Sequence, residues 1–187
     1  MTFSRPGFNK FTEVMRIKGV PVYAHWSLLA IGVVVAIAAV QQPAEVLSAC
    51  AAYLGVILIH ECGHMVAAQR KRLHVESIHL YPIHGLCHFQ EPWSRYDHAV
   101  IAWGGVVAQA AVGMPIALWV ATVGFTPFAA LNVALGILSY YNLAVAAFNL
   151  LPIPGLDGPV AWSLIPELAK RFRNRRGSRP LSRRFPS

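Results

Sequence analysis

Charge is scarce in this 187-residue chain: 13% of its residues are Asp, Glu, Lys or Arg, while 56% are hydrophobic. A soluble domain carries about 25% charged residues. With a mean hydropathy of +0.48, there is too little polar surface to cover the apolar remainder in water. The same apolar excess excludes intrinsic disorder. Cysteine is scarce too, and three cysteines leave one unpaired, which excludes a disulfide scaffold. Cys50, Cys62 and Cys87 show no ligand spacing and are expected to stay reduced. No internal repeat and no small-x-small cleavage site behind an early apolar stretch is present, so neither a solenoid nor a cleaved leader is expected. The class that remains is an all-α integral membrane protein.

What charge there is lies in clusters. Arg5, Lys10, Arg16 and Lys18 precede the first apolar run, and Arg70, Lys71 and Arg72 follow the second. Eight of the sixteen Lys and Arg fall between Lys170 and Arg184, and no acid follows Glu167. No nucleic-acid-binding fold accompanies this tail, so its expected partner is the anionic face of a lipid bilayer and not a nucleic acid.

Four apolar runs are expected to span the bilayer. The first, Trp26 to Val40, is short for a span of about 20 residues. Extended back through Val20 to Ala24 it is long enough, with Tyr23 and Trp26 at the interface. The others are Val46 to Ala68, Ala99 to Val123 and Phe128 to Leu151. Four spans put the three basic clusters and both termini on one side, which the positive-inside rule makes cytoplasmic. Between spans two and three, His74 to His98 is polar and starts with a β-rich, loosely alternating stretch, read as short strands or a hairpin. After Pro152, Pro154, Gly155 and Gly158, an amphipathic helix is expected from Pro159 to about Phe172. The expected organisation is a basic N-terminus (1–18), a membrane-embedded core (19–169) and a basic tail (170–187).

The second span carries His60-Glu61-Cys62-Gly63-His64, an HExxH pattern. On a helix, residues four apart share a face, so both imidazoles can bind one metal while Glu61 reaches a metal-bound water. Ionisable groups inside a span are expensive and signal function. Zinc suits this set but needs a further protein ligand and an open position. Asp157 is the only acid between Asp97 and Glu167. It follows span four, and the topology brings it to the depth of His60 and His64. The two prolines and two glycines around it keep the segment out of helix, as in a cavity lining. A plainer role for Asp157 is capping the following helix.

HExxH in one span, with Asn149-Leu150-Leu151-Pro152-Ile153-Pro154-Gly155-Leu156-Asp157-Gly158 after a later one, resembles the site-2 protease family of intramembrane zinc metalloproteases. The resemblance covers about 19–167. It implies one zinc per chain held by His60, His64 and Asp157, with Glu61 as the general base. Asn149 matches the family asparagine expected to contact substrate. The implied substrate is a single-span membrane protein cut in or near its transmembrane segment, at the cytoplasmic side of the cell membrane. The family often has Gly-Pro-x-x-Asn in the next span; here Gly105-Val106-Val107-Ala108-Gln109 lacks the proline and has Gln for Asn. Members often carry a PDZ or CBS domain, and none is read here, so control is expected from a membrane partner, from the substrate, or from nothing.

Asn149, His25 and His88 are the candidate oxyanion donors. His25 also reads as an interfacial residue beside Tyr23 and Trp26. His74, His79, His84, His88 and His98 match no compact ligand spacing and read as a polar surface region. The rival reading is a non-proteolytic metal-binding channel or transporter, which does not explain Glu61 beside His60. A di-iron oxygenase would need adjacent His-His pairs, which this chain lacks. A substrate helix must be opened before it is cut, and its freed backbone needs partners. Strand addition supplies them, and Glu76 to Leu86 is the segment expected to offer the edge.

Overall fold

A computed structural model describes residues 10–177. The chain opens with a hairpin of β1 (Phe11–Ile17) and β2 (Val20–His25). Its two-residue turn, Lys18-Gly19, has φ of 49° and 83°, the positive pair that matches the twist of the flanking strands. Two helices follow, α1 (Ser27–Ala38) and α2 (Pro43–Arg70), then a second hairpin of β3 (Val75–Leu80) and β4 (Gly85–Phe89). The four strands form one mixed sheet in the order β1-β2-β3-β4, with β2 and β3 parallel. A parallel pair needs a crossover, and here α1 and α2 provide it.

The long helix α3 (Arg95–Val123) is capped by Ser94, whose hydroxyl accepts from the Asp97 backbone N–H at 3.1 Å. Asp97 in turn pairs with Lys71 at 2.8 Å, fixing the start of α3 to the end of α2. The next span, Ala129–Asn149, is built of α4 (Ala129–Gly136), a π-helical turn (Ile137–Tyr141) and α5 (Asn142–Asn149). Two shorter helices close the chain, α6 (Gly158–Trp162) and α7 (Leu164–Gly177). The helix expected from Pro159 to about Phe172 is thus divided at Ser163, whose hydroxyl is spent on the Val160 carbonyl at 2.6 Å.

Among the described residues, three helices are long and apolar enough to cross a membrane: Pro43–Arg70, Arg95–Val123 and Ala129–Asn149. Their outer faces expose Met114, Leu118, Trp119 and Val123 on α3 alone. The expected extension of the first span back through Val20 to Ala24 is corrected. Residues 20–25 are strand, and only the 12 residues of α1 are helical, about 18 Å of rise against the roughly 30 Å of a bilayer core. The reason is pairing. Val20 and Val22 alternate inward onto α2, and residues 22–24 take a parallel partner in β3.

Two other expectations change. Residues 11–17 belong to the folded body as β1, not to a separate N-terminus. Within the expected edge segment Glu76 to Leu86, Ile78 to Leu80 are not an edge, because they are paired with β2 on one side and β4 on the other. The edge nearest α2 is β4, and Tyr81 to His84 form the tip of its hairpin, closed by the Tyr81 N–H donating to the His84 carbonyl at 2.9 Å. The core lies between the inner sheet face and α2 and α3, where Val22, Ile78, Leu80, Met65 and Ile101 are buried together. Arg5 and tail residues 178–187 lie outside the described residues.

Candidate active site

The α2 helix stacks His60 over His64, and their Nε2 atoms stand 2.9 Å apart. Asp157 Oδ2 is 3.0 Å from the first and 3.2 Å from the second. The last turn before Asp157 is shaped by Gly155 at φ +94°. Gly158 then lets the chain fold back: a Cβ there would lie 2.6 Å from the Leu150 carbonyl oxygen. Two indoles pin the return, Trp162 donating to the Leu150 carbonyl at 2.7 Å and Trp103 to the Ala161 carbonyl at 2.9 Å. Asp157 stands at the start of α6, yet its side chain makes no capping hydrogen bond. Its backbone carbonyl serves α6, accepting from Val160 and Ala161, which leaves the carboxylate for the histidines.

The other ring nitrogens are anchored. His64 Nδ1 donates to the Ile101 carbonyl at 2.8 Å, and His60 Nδ1 lies 2.9 Å from Gln109 Oε1. The α3 helix comes this close because glycine faces glycine. A Cβ on Gly104 would stand 2.6 Å from the Gly63 carbonyl oxygen. At Gly105 it would stand 2.6 Å from His60 Cε1 and 2.8 Å from His64 Nε2. So Gly104 serves helix contact, while Gly105 makes room for the imidazoles.

Glu61 is buried, 5% exposed, beside this group. Its carboxylate lies over Gly85 of β4, where a Cβ would come within 2.6 Å of Oε1, and it accepts a backbone hydrogen bond from Cys87. The hairpin edge therefore holds the carboxylate in place. Burial, and then the nearby Glu61 and Cys62, push the Cys87 thiol up to about 12.

A cavity of about 740 Å³ opens over the group, lined by His60, Glu61, His64, Asp157 and Asn149. Its walls are apolar, with Val56, Ile57, Val145 and Phe148. Among the proposed oxyanion donors, only Asn149 lines it. His25 instead meets Ser27 Oγ at 2.6 Å and stacks on Tyr81. His88 sits on β4 with its ring against His79, 4.6 Å between centroids. Two residues not proposed for the site, His84 and His98, line the cavity, as does Gln109. Nothing in their spacing marked them, because the hairpin turn and the start of α3 bring them there.

His60, His64 and Asp157 fit a metal ion. Each offers one ligand atom, all within 4.8 Å of one another. Zinc with ligands at about 2.0–2.1 Å in a tetrahedron sets neighbouring donors about 3.3 Å apart, close to the separations here. Asp157 Oδ2 is buried without a hydrogen-bond partner. Three acceptor atoms at such distances repel unless a cation lies between them.

Among solved structures, the fold is similar to that of the site-2 protease from Methanocaldococcus jannaschii, with a TM-score of 0.59 and 20% identity over 87% of this chain and 73% of that one. No family model and no curated protein matches the chain. At that identity the likeness is one of fold.

Proposed function

We propose that this protein is an intramembrane zinc metalloprotease that hydrolyses a peptide bond in or near the transmembrane segment of a single-span membrane protein. The observation that carries this reading is the meeting of His60, His64 and Asp157 beside a buried Glu61 at the floor of one cavity. A channel or transporter has no need of a carboxylate held by Gly85 and Cys87 next to a metal group.

His60, His64 and Asp157 would hold one zinc. When bound, it would supply Lewis acidity for the scissile carbonyl and lower the pKa of the attacking water toward about 7. Glu61 accepts the proton of the attacking water and delivers it to the leaving amine. Asn149, on the same wall, offers its amide N–H to the substrate carbonyl. The apolar walls accept apolar side chains.

The β4 strand presents an outer edge beside Glu61, and an extended substrate adds there as a fifth strand. A photo-crosslinker at Leu86, which is 46% exposed on β4, should capture substrate; one at Glu13 on the far edge strand should not.

Basic residues end α2 and run along α7, which supports a cytoplasmic site and cytoplasmic termini. The sheet gathers at the basic end of α2. The α1 helix, about 18 Å of rise, and the turn at residues 39–42 lead from the sheet to the start of α2. Reporter fusions at Gln42 and Gly124 should read outside, and a fusion after Arg72 inside.

The central test is Glu61→Gln in a cell that co-expresses candidate single-span proteins. Zinc content should hold while cleavage falls by at least about 100-fold. Undiminished cleavage would remove the general-base role and the protease reading with it.

A further inference from the structure

We infer that Gln109 is a positioning residue for the metal centre: its Oε1 holds His60 in the tautomer that turns the Nε2 lone pair toward His64 and Asp157. The inference rests on the proposed reading in one respect, that His60 is a metal ligand.

Gln109 is fully buried on α3, one turn beyond Gly105 and on the same helix face. The glycine clears space for the imidazole, and the glutamine meets its outer nitrogen at 2.9 Å. The Gln109 backbone is fixed as well. Asn142, fully buried just after the π-helical turn, donates from Nδ2 to the Gln109 carbonyl at 2.9 Å. The third long span thus clamps α3 at this residue.

The two histidines differ in what backs them. His64 faces a backbone carbonyl, which can only accept, so its Nδ1 carries the proton and its Nε2 is bare. His60 faces a side-chain amide, which can accept or donate. With Oε1 toward it, Nδ1 carries the proton and Nε2 is free for a metal. With the amide nitrogen toward it, the proton moves to Nε2. His60 would then donate to Asp157 Oδ2 at 3.0 Å and occupy both ligands with each other. The metal-ready arrangement therefore depends on the acceptor half of one side chain. An outer acceptor of this kind fixes tautomer and ring orientation in histidine metal sites.

The substitutions Gln109→Met and Gln109→Glu separate this role from packing. Both keep the length of the side chain; methionine removes the acceptor and glutamate keeps it. The measurements are zinc affinity of the purified full chain by chelator competition, the visible absorption of the cobalt-loaded protein, and thermal unfolding in chelator. Gln109→Met should weaken zinc binding about 10- to 100-fold and alter the cobalt bands. Gln109→Glu should keep wild-type affinity and bands. Unfolding in chelator should show both variants folded. Wild-type zinc affinity in Gln109→Met, or equal weakening in Gln109→Glu, would overturn the assignment. His60→Ala distinguishes the two levels of failure. If it loses zinc while Gln109→Met does not, only the positioning role falls. If it keeps zinc, the metal reading itself falls.

Discussion

The rings of His60 and His64 lie 4.5 Å apart, centroid to centroid, and those of His79 and His88 lie 4.6 Å apart. In the first pair each outer nitrogen meets an oxygen, from Ile101 or Gln109, and the inner nitrogens converge on Asp157. In the second pair the rings belong to an aromatic layer on the sheet. Phe11 packs on His79 at 4.6 Å, Tyr23 meets His79 at 5.2 Å, and Tyr81 stacks on both His25 and His84. Among the described residues, only His60, His64 and Asp157 bring three ligand atoms together. Imidazoles at equal spacing thus serve two ends. Anchored outer nitrogens and a facing carboxylate make a group that could hold a cation, while faces and edges turned to other rings make packing.

The largest expected effect breaks the contrast outright. Asp157→Ala should reduce bound zinc from about one equivalent to near none, because two histidines alone leave the site short of a protein ligand. His79→Phe with His88→Phe should leave metal content unchanged. Metal analysis of the purified proteins checks both, and full zinc with undiminished activity in Asp157→Ala would remove it as third ligand.

Next in size is Gly105→Ala. The added methyl meets His60 Cε1 and His64 Nε2, both under 3 Å, so the rings must shift. Zinc affinity should drop by about tenfold or more, whereas alanine at Gly32, where a Cβ meets nothing within 4 Å, should leave it alone.

A third test sharpens the comparison at β4, the strand that touches both groups. Burial first, then Glu61 and Cys62 nearby, hold the Cys87 thiol well above its ordinary value, so its thiolate is rarer in the fold than in the unfolded chain. Alkylation followed by mass spectrometry should find Cys87 protected at neutral pH and modified after denaturation. Rapid labelling in the folded protein would show that β4 opens.

The smallest effect concerns the aromatic layer. Burial, reinforced by His88, lowers the pKa of His79 from 6.5. The unfolded chain therefore takes up the proton more readily than the fold. Sheet stability is full above the ordinary histidine range and declines as pH falls through it. Amide exchange in β2 and β3, corrected for intrinsic rates, should quicken between about pH 8 and pH 5. His79→Phe should flatten the trend, and an unchanged slope in that variant would assign it elsewhere.

Several features of the centre were legible without the fold. The i, i+4 histidines with Glu61 between them need only helical geometry, and a lone acid in a broken-helix segment stands out by composition. The first apolar run misled, because a short apolar stretch has no period that separates strand from helix. Val20 to Ala24 became strand only where β1 and β3 were present to pair with it. Glu76 to Leu86 read as one edge for a similar reason, since a strand's neighbours are set by distant residues: Ile78 to Leu80 are paired on both sides and β4 keeps the edge.

Membrane composition, the basic clusters and the His60-Glu61-His64 face belong to the sequence by itself, because each rests on local spacing or on totals. The tertiary structure alone decided the rest. It turned the Asp157 side chain toward residues 97 and 93 positions earlier. It set Gln109 behind His60, laid Glu61 over Gly85, and sent His25 and His88 into a packing layer outside the cavity. The physical reason is that an imidazole carries its chemistry in two opposed nitrogens, and what each one faces is set by elements far apart in the chain.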